Sequence, residues 1–293
     1  MSGPSVLRED HGPIAVLTLN RPERRNALSL GLISELSDIL TRVAWEHTLR
    51  AVIVTGVGPT FCSGMDLKEA VADHPDAENE KKAIAYSRAL ADLIWQVHRL
   101  PKPTIAALNG DALAGGAGLA SACDFAIAAE GARLGYPEVR RGMVAAIVMH
   151  DLIRQVGERR ARDLLLSGRP IGADEAERWG LVNRVVPAVS LPGEALALGR
   201  SLVEAGPLAI ETTKRLLDEA SGRPPDPRGS AAITAAIRVS DEAREGIRAF
   251  FEKRPPRWAA PDRARRGEAP PMPPASPEGQ EAPQGGSQPP PLP

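Results

Sequence analysis

Residues 109–142 read NGDALAGGAGLASACDFAIAAEGARLGYPEVRRG, and both the fold signal and the chemistry lie in this stretch. TIAALNG (104–110) leads into it as a short apolar run of strand type. The adjacent glycines Gly115 and Gly116 open a small-residue segment that suits a helix over Gly118–Cys123, and DFAIAAE (124–130) returns as a strand. Strands and helices alternating across short gaps favour α/β architecture. Backbone N–H groups freed at a glycine-rich helix entrance can hold a developing oxyanion. Glu138 follows Pro137 and is flanked by Tyr136 and Val139, more apolar company than a glutamate usually keeps. Burial raises the pKa of such a carboxylate toward the range useful for moving a proton. Arg140 and Arg141 are next in the chain and either oppose that shift or point away. The stretch reads as an active site for enolate chemistry.

Outward from this stretch the same alternation continues. PIAVLTLN (13–20), AVIVTG (51–56) and LVNRVVP (181–187) read as strands. Leu28, Leu32, Leu36, Leu40 and Val43 recur at helical spacing, with Ile33 and Ile39 widening the stripe. TFCSGMDL (60–67) follows AVIVTG and reads as a turn. Its functional reading is an oxyanion donor; the plainer one is a strand-to-helix loop with Asp66 as a cap. These segments form an α/β core over residues 1–205. After Pro207, LAIETTKRLLDEA (208–220) and SDEAREGIRAFFEKR (240–254) are helix candidates separated by RPPDP. They mark a C-terminal helical region, 206–259, packed on the core or on another subunit. The last 34 residues hold 11 of the 28 prolines and few large apolar side chains. Residues 260–293 are therefore expected to be disordered. Pro290–Pro293 has a PxxP spacing that suits an SH3-like groove, although a solvated tail is the plainer reading.

Composition excludes several classes. The chain has 293 residues, 43% hydrophobic and 25% charged, enough for a sizeable core built on Leu, Val, Ile and Ala, since aromatics are only 3%. A formal net charge of −1 gives no general attraction to nucleic acid or to an anionic membrane. No apolar run approaches the ~18 to 20 residues of a membrane span, and MSGPSVLREDHG lacks the apolar region of a secretory signal. Cys62 and Cys123 make no disulfide framework and read as small buried apolar residues, so a cytoplasmic location is expected. Neither HExxH nor CxxC occurs, and no metal site is expected. GAGLAS (116–121) half-matches a dinucleotide fingerprint, but Asp111–Ala114 separate its glycines from the expected strand.

Six segments in one order resemble the crotonase superfamily, the enoyl-CoA hydratase/isomerase family: NRPERRNALS (20–29), TFCSGMDL (60–67), KPTIAALNGDALAGGAGLASACD (102–124), YPEVRRG (136–142), LLLSGRPIGADEAERWGLVNRVVP (164–187) and EAREGIRAFFEKRPPRW (242–258). The resemblance runs from about Val16 to Trp258. It implies a spiral of repeated strand–strand–helix units with a C-terminal helical region, assembled as a homotrimer or a dimer of trimers. It implies an acyl-CoA thioester as substrate, with no cofactor beyond the CoA that the substrate carries. By the same resemblance, the backbone amides of Ser63 and Gly115 form the oxyanion hole and Glu138 is the catalytic acid/base. Arg24, Arg25, Asp66, Phe250 and Lys253 are expected beside the CoA, the last two from a neighbouring subunit. The chain departs from the family at one position: the first of two hydratase glutamates falls at Gly118. His150, Asp151 and Tyr86 are candidates to replace it. Hydration and double-bond migration are both open, and a non-catalytic acyl-CoA-binding protein is the alternative from another class. The acyl pocket is expected to draw on distant segments, including residues 71–98.

Overall fold

Two largely parallel sheets and the helices packed on them organise the chain. The computed structural model describes residues 3–70, 77–220 and 240–258, which lie in one compact unit; the side chains of residues 70, 77–80, 250 and 251 are outside the description. The strands are β1 Val6–His11, β2 Ile14–Leu19, β3 Ala51–Gly56, β4 Thr60–Cys62, β5 Thr104–Leu108, β6 Asp111–Leu113, β7 Phe125–Ala129, β8 Arg133–Gly135, β9 Ile171–Gly172 and β10 Arg184–Val186. The helices are α1 Leu30–Trp45, α2 Leu67–Ala70, α3 Ala77–His98, α4 Gly115–Ala122, α5 Met149–Ser167, α6 Ala173–Trp179, α7 Leu191–Val203, α8 Pro207–Ala220 and α9 Asp241–Phe251.

A six-stranded sheet runs β1-β2-β3-β5-β7-β10, and a four-stranded sheet runs β4-β6-β8-β9. In the pairs β3/β4, β5/β6 and β7/β8, the first strand joins the large sheet in parallel and the second joins the small one, also in parallel; a helical segment follows each pair. This is the strand–strand–helix spiral. Only the β1/β2 hairpin and the β8/β9 edge are antiparallel.

Period-two alternation sorts the large sheet's side chains onto two faces. Val52, Val54, Ala106, Leu108, Ala126 and Ala128 face the main core, with the buried stripe Leu32, Ile33, Leu36, Ile39, Leu40 and Val43 of α1. Ile53, Ile105, Ala107, Ile127 and Ala129 face the other way, with Leu191, Ala195 and Val203 of α7. Both faces are covered, so these strands read as continuous apolar runs. Ser29 caps α1, its Oγ accepting from the Leu32 N–H at 3.1 Å.

The structure moves several expected boundaries. Thr60–Cys62 is a strand, not a turn; α4 begins at Gly115; and Leu181–Asn183 precede the strand Arg184–Val186. Because Asp111–Leu113 form β6, α4 follows a strand almost directly, against the sequence reading. Strands of two or three residues are too short to show a period. The C-terminal helices attach through polar anchors. Lys214 of α8 meets Asp124 at 2.5 Å, His98 meets Asp218 at 2.7 Å, and Arg50 donates to the Ala205 carbonyl at 2.7 Å and to that of Trp258 at 3.2 Å. No residue of α8 is buried. No described helix is long and apolar enough to cross a membrane. The expected disordered tail and its PxxP lie outside the described residues.

Candidate active site

The loop Arg21–Asn26 and the end of β4 meet the entrance of α4 around one cavity of about 330 Å³. Arg24, Arg25, Ser63, Asp66, Gly115 and Glu138 line it, with Arg141; so do Met65, Lys68 and Val148, to which sequence reading gave no role. Asn26 shapes the loop. It is fully buried with φ +54, receives the Arg21 N–H at 2.9 Å, and donates to the carbonyls of Val57 at 3.0 Å and Thr60 at 2.7 Å. Asparagine is among the few non-glycine residues that settle readily in the left-handed region.

Two segments bring backbone amides to the cavity. At the first, Gly64 has φ +89, and a Cβ there would lie 2.7 Å from the Ala114 Cβ and 3.0 Å from the Gly115 nitrogen. Glycine alone permits so close an approach. At the second, Ala114 takes φ +52 and ψ −124 as it enters α4, a costly conformation for alanine that turns the helix entrance into the cavity. The N–H of Gly115 has no protein acceptor among the described residues.

Ser63 does not fit the role expected of it. Its N–H donates to the Arg25 carbonyl at 3.0 Å, so it is engaged within the protein. Leu28 pairs with the next segment, its N–H on the Gly64 carbonyl at 2.8 Å and its carbonyl receiving the Asp66 N–H at 3.3 Å. Between these bonds the Met65 N–H has no acceptor among the described residues. Alternating hydrogen-bond direction along an extended segment leaves Met65, not Ser63, with a free amide in the cavity wall.

Glu138 sits in a short 3₁₀ turn, Pro137–Arg141, after β8. Its Oε2 is buried and has no hydrogen-bond partner. Desolvation raises its pKa above the ordinary carboxylate value, partly opposed by a hydrogen bond to its own backbone and by the charge of Arg141. Arg140 points away, its Nε on the Ser167 carbonyl at 2.9 Å. The other carboxylate of the cavity, Asp66, pairs with Arg21 at 3.0 Å and receives the Lys68 N–H at 3.3 Å, so it acts as the cap anticipated for it.

Among the described residues, none of the three candidates named to replace a second carboxylate reaches this cavity. A Cβ on Gly118 would lie 2.1 Å from Cγ1 of Val148, so the valine fills the space that a side chain at 118 would enter. Tyr86 is buried elsewhere, donating to the Leu28 carbonyl and receiving the Asp66 N–H at 3.3 Å. Asp151 faces His98 at 3.5 Å, and His150 is exposed. Gly116 abuts Cys62, whose carbonyl oxygen would be 2.3 Å from a Cβ there, so it serves packing rather than a dinucleotide. Both cysteines are buried, and desolvation pushes their thiols up to about 12. Lys253 is exposed and does not line this cavity, and the Phe250 side chain lies outside the described residues. Among the described residues no group of three or more His, Cys, Asp or Glu is placed to hold a metal.

Residues 9–261 match the family model described as enoyl-CoA hydratase/isomerase. The chain belongs to the enoyl-CoA hydratase/isomerase family. A Thermus thermophilus protein named "Putative enoyl-CoA hydratase" is 43% identical over 86% of this chain and 100% of its own length. The enoyl-CoA hydratase EchA19 of Mycobacterium tuberculosis is 37% identical over 88% of this chain and 97% of its own. Among solved structures, the Bacillus anthracis enoyl-CoA hydratase superposes with a TM-score of 0.79 at 34% identity, covering 87% of this chain and 99% of that one. Its fold therefore belongs, with theirs, to the crotonase group.

Proposed function

We propose that the protein moves a double bond within an acyl-CoA thioester through an enolate, with Glu138 as the sole proton carrier. The supporting observation is the unpartnered, buried Oε2 of Glu138 in the cavity that holds the free amides of Met65 and Gly115. Glu138 as carboxylate takes a proton from C2 of a 3-enoyl thioester. The electron pair moves onto the thioester oxygen, where two N–H donors receive it; one such donor is typically worth ~3 to 4 kcal/mol. The electrons return through C2–C3, and the protonated Glu138 delivers the proton at C4. The product is the 2-enoyl thioester, with no change in mass. Arg24, Arg25, Lys68 and Arg141 at the cavity give cationic partners for the CoA phosphates. The reaction asks for no group beyond the thioester itself.

Hydration is the second reading, and the names of the relatives favour it. It requires a water held and activated beside Glu138, and the cavity offers no second free carboxylate for that. Assembly as a trimer or a dimer of trimers fits an amphipathic α8 with no residue buried in its own chain. The test is incubation with 2-enoyl and 3-enoyl thioesters. Equal mass at a shifted retention time supports migration. Gain of one water mass supports hydration. Tight binding without product supports a non-catalytic acyl-CoA-binding role.

A further inference from the structure

The Met65 amide owes its direction to its neighbours. A trans peptide unit is planar, with its C=O and N–H pointing opposite ways. The Leu28 N–H holds the Gly64 carbonyl at 2.8 Å, so the Met65 N–H of the same unit is turned the other way, toward the cavity. The next unit is held too. The Asp66 N–H reaches the Leu28 carbonyl at 3.3 Å and the Tyr86 hydroxyl oxygen at 3.3 Å. The same hydroxyl donates to the Leu28 carbonyl. Tyr86 thus closes a ring of hydrogen bonds with Leu28 and Asp66, beside the amide left open.

Tyr86 comes from α3 and is 1% exposed. With Leu90, Leu93, Ile94 and Val97 it lies on the helix face that packs into the main core. One turn on, Leu90 braces the other donor segment: it lines the cavity, and a Cβ on Gly115 would lie 3.4 Å from its Cδ2. Of residues 71–98, expected in the acyl pocket, α3 brings Leu90 to the cavity, whereas Tyr86 stands behind the wall. A phenylalanine would fill the same space with no polar atom to satisfy, so the hydroxyl calls for an account. Burial pushes the phenol above the ordinary tyrosine range, which keeps it a donor at neutral pH.

We propose that Tyr86 is a positioning residue for catalysis: its hydroxyl sets the aim of the Met65 N–H at the thioester oxygen. The proposal rests on the oxyanion reading of Met65 and Gly115. Tyr86→Phe removes one oxygen and keeps the ring, and the Asp66 N–H stays on the Leu28 carbonyl, so the variant is expected to fold. Its kcat is expected to fall ~10- to 100-fold, less than the ~10²- to 10³-fold typical of losing an oxyanion donor outright. Calorimetry with butanoyl-CoA, a saturated thioester, is expected to give a Kd within about twofold of the wild type, because binding common to ground and transition states is untouched. The carbonyl ¹³C resonance of bound [1-¹³C]butanoyl-CoA reports polarisation without turnover. Its downfield shift on binding is expected to shrink by about half in Tyr86→Phe, with one of two donors misaimed.

Tyr136→Phe, at the chain's other tyrosine, is the control. That hydroxyl is also buried and pairs with Ser121 Oγ at 2.9 Å, at the far end of α4 from Gly115. The control is expected to keep the wild-type carbonyl shift. Wild-type kcat and carbonyl shift in Tyr86→Phe overturn the proposal. So does a loss of shift common to both variants, which assigns it to general loosening of the core. If the wild type itself shows no downfield shift, the amide cradle fails and the role of Tyr86 goes with it. A smaller shift confined to Tyr86→Phe, with no turnover of any enoyl thioester by the wild type, upholds Tyr86 and removes double-bond migration.

Discussion

Glu138 is a half-buried acid whose Oε2 has no hydrogen-bond partner and whose charge Arg141 offsets only in part. Its raised pKa means that it binds protons more readily folded than unfolded. The ionised form therefore costs stability, and the cost is felt as pH rises from the ordinary carboxylate value through the raised one. Glu138→Gln is expected to melt higher than the wild type at pH 7, with the gap closing below the ordinary carboxylate range. Thermal melts across pH check this. The same variant is expected to lose ~10²- to 10⁴-fold in turnover while keeping its affinity for CoA. In the wild type, kcat/KM is expected to fall on the acid side at a pH above the ordinary glutamate value. Gly118 is a second residue whose meaning is spatial. A glutamate introduced there drives its Cβ into Val148. Gly118→Glu alone is expected to lose more than about 3 kcal/mol of stability, from overpacking of ~1–3 kcal/mol plus a buried carboxylate. Adding Val148→Ala is expected to recover part of it, which urea denaturation measures. If the single variant is as stable as the wild type, Val148 is not the obstacle.

At the scale of elements, the site is assembled where short irregular segments touch. The loop before α1, the end of β4 and the entrance of α4 each carry a positive φ: Asn26, Gly64 and Ala114. Asn26 accepts one hydrogen bond within the first and ties it to the approach to β4 through two more. Asn26→Ala strands the Arg21 N–H and two carbonyls, each worth ~1–3 kcal/mol when buried, and gives up asparagine's tolerance of the left-handed region. A loss of about 3 kcal/mol is expected. KM for the thioester is expected to rise more than kcat falls, because Arg24 and Arg25 lose their support while Glu138 keeps its own. Steady-state kinetics on the folded variant distinguish this from a purely structural effect.

For the whole molecule, the attachment of the C-terminal helices is polar where the core is apolar. Lys214, Asp218, Arg50 and Trp258 make the bonds, while Leu217 of α8 and Ile247 of α9 stay exposed. An amphipathic helix without a buried face calls for a partner surface. Sedimentation is expected to give three or six times the 31.1 kDa of one chain. Leu217→Glu, at a side chain 63% exposed here, is expected to lower that mass while the far-ultraviolet circular dichroism of the chain is retained. A monomer of unaltered activity removes the assembly reading.

Much of this was legible in the chain itself. Strands β2, β3, β5 and β7 announce themselves because both sheet faces are covered and their residues are apolar throughout. The stripe of α1 shows because one face packs on the core. The order of motifs carried the family, and the apolar neighbours of Glu138 carried its candidacy. Only the tertiary structure decided that Arg25 takes the Ser63 amide while Met65 keeps its own free, that Val148 stands where a side chain on Gly118 would go, and that Tyr86 reaches the Leu28 carbonyl. The reason is physical. Periodicity records which face of a segment is buried, and that is local. A hydrogen-bond partner or a filled space depends on atoms tens of residues apart in the chain, which meet only once the sheets have formed.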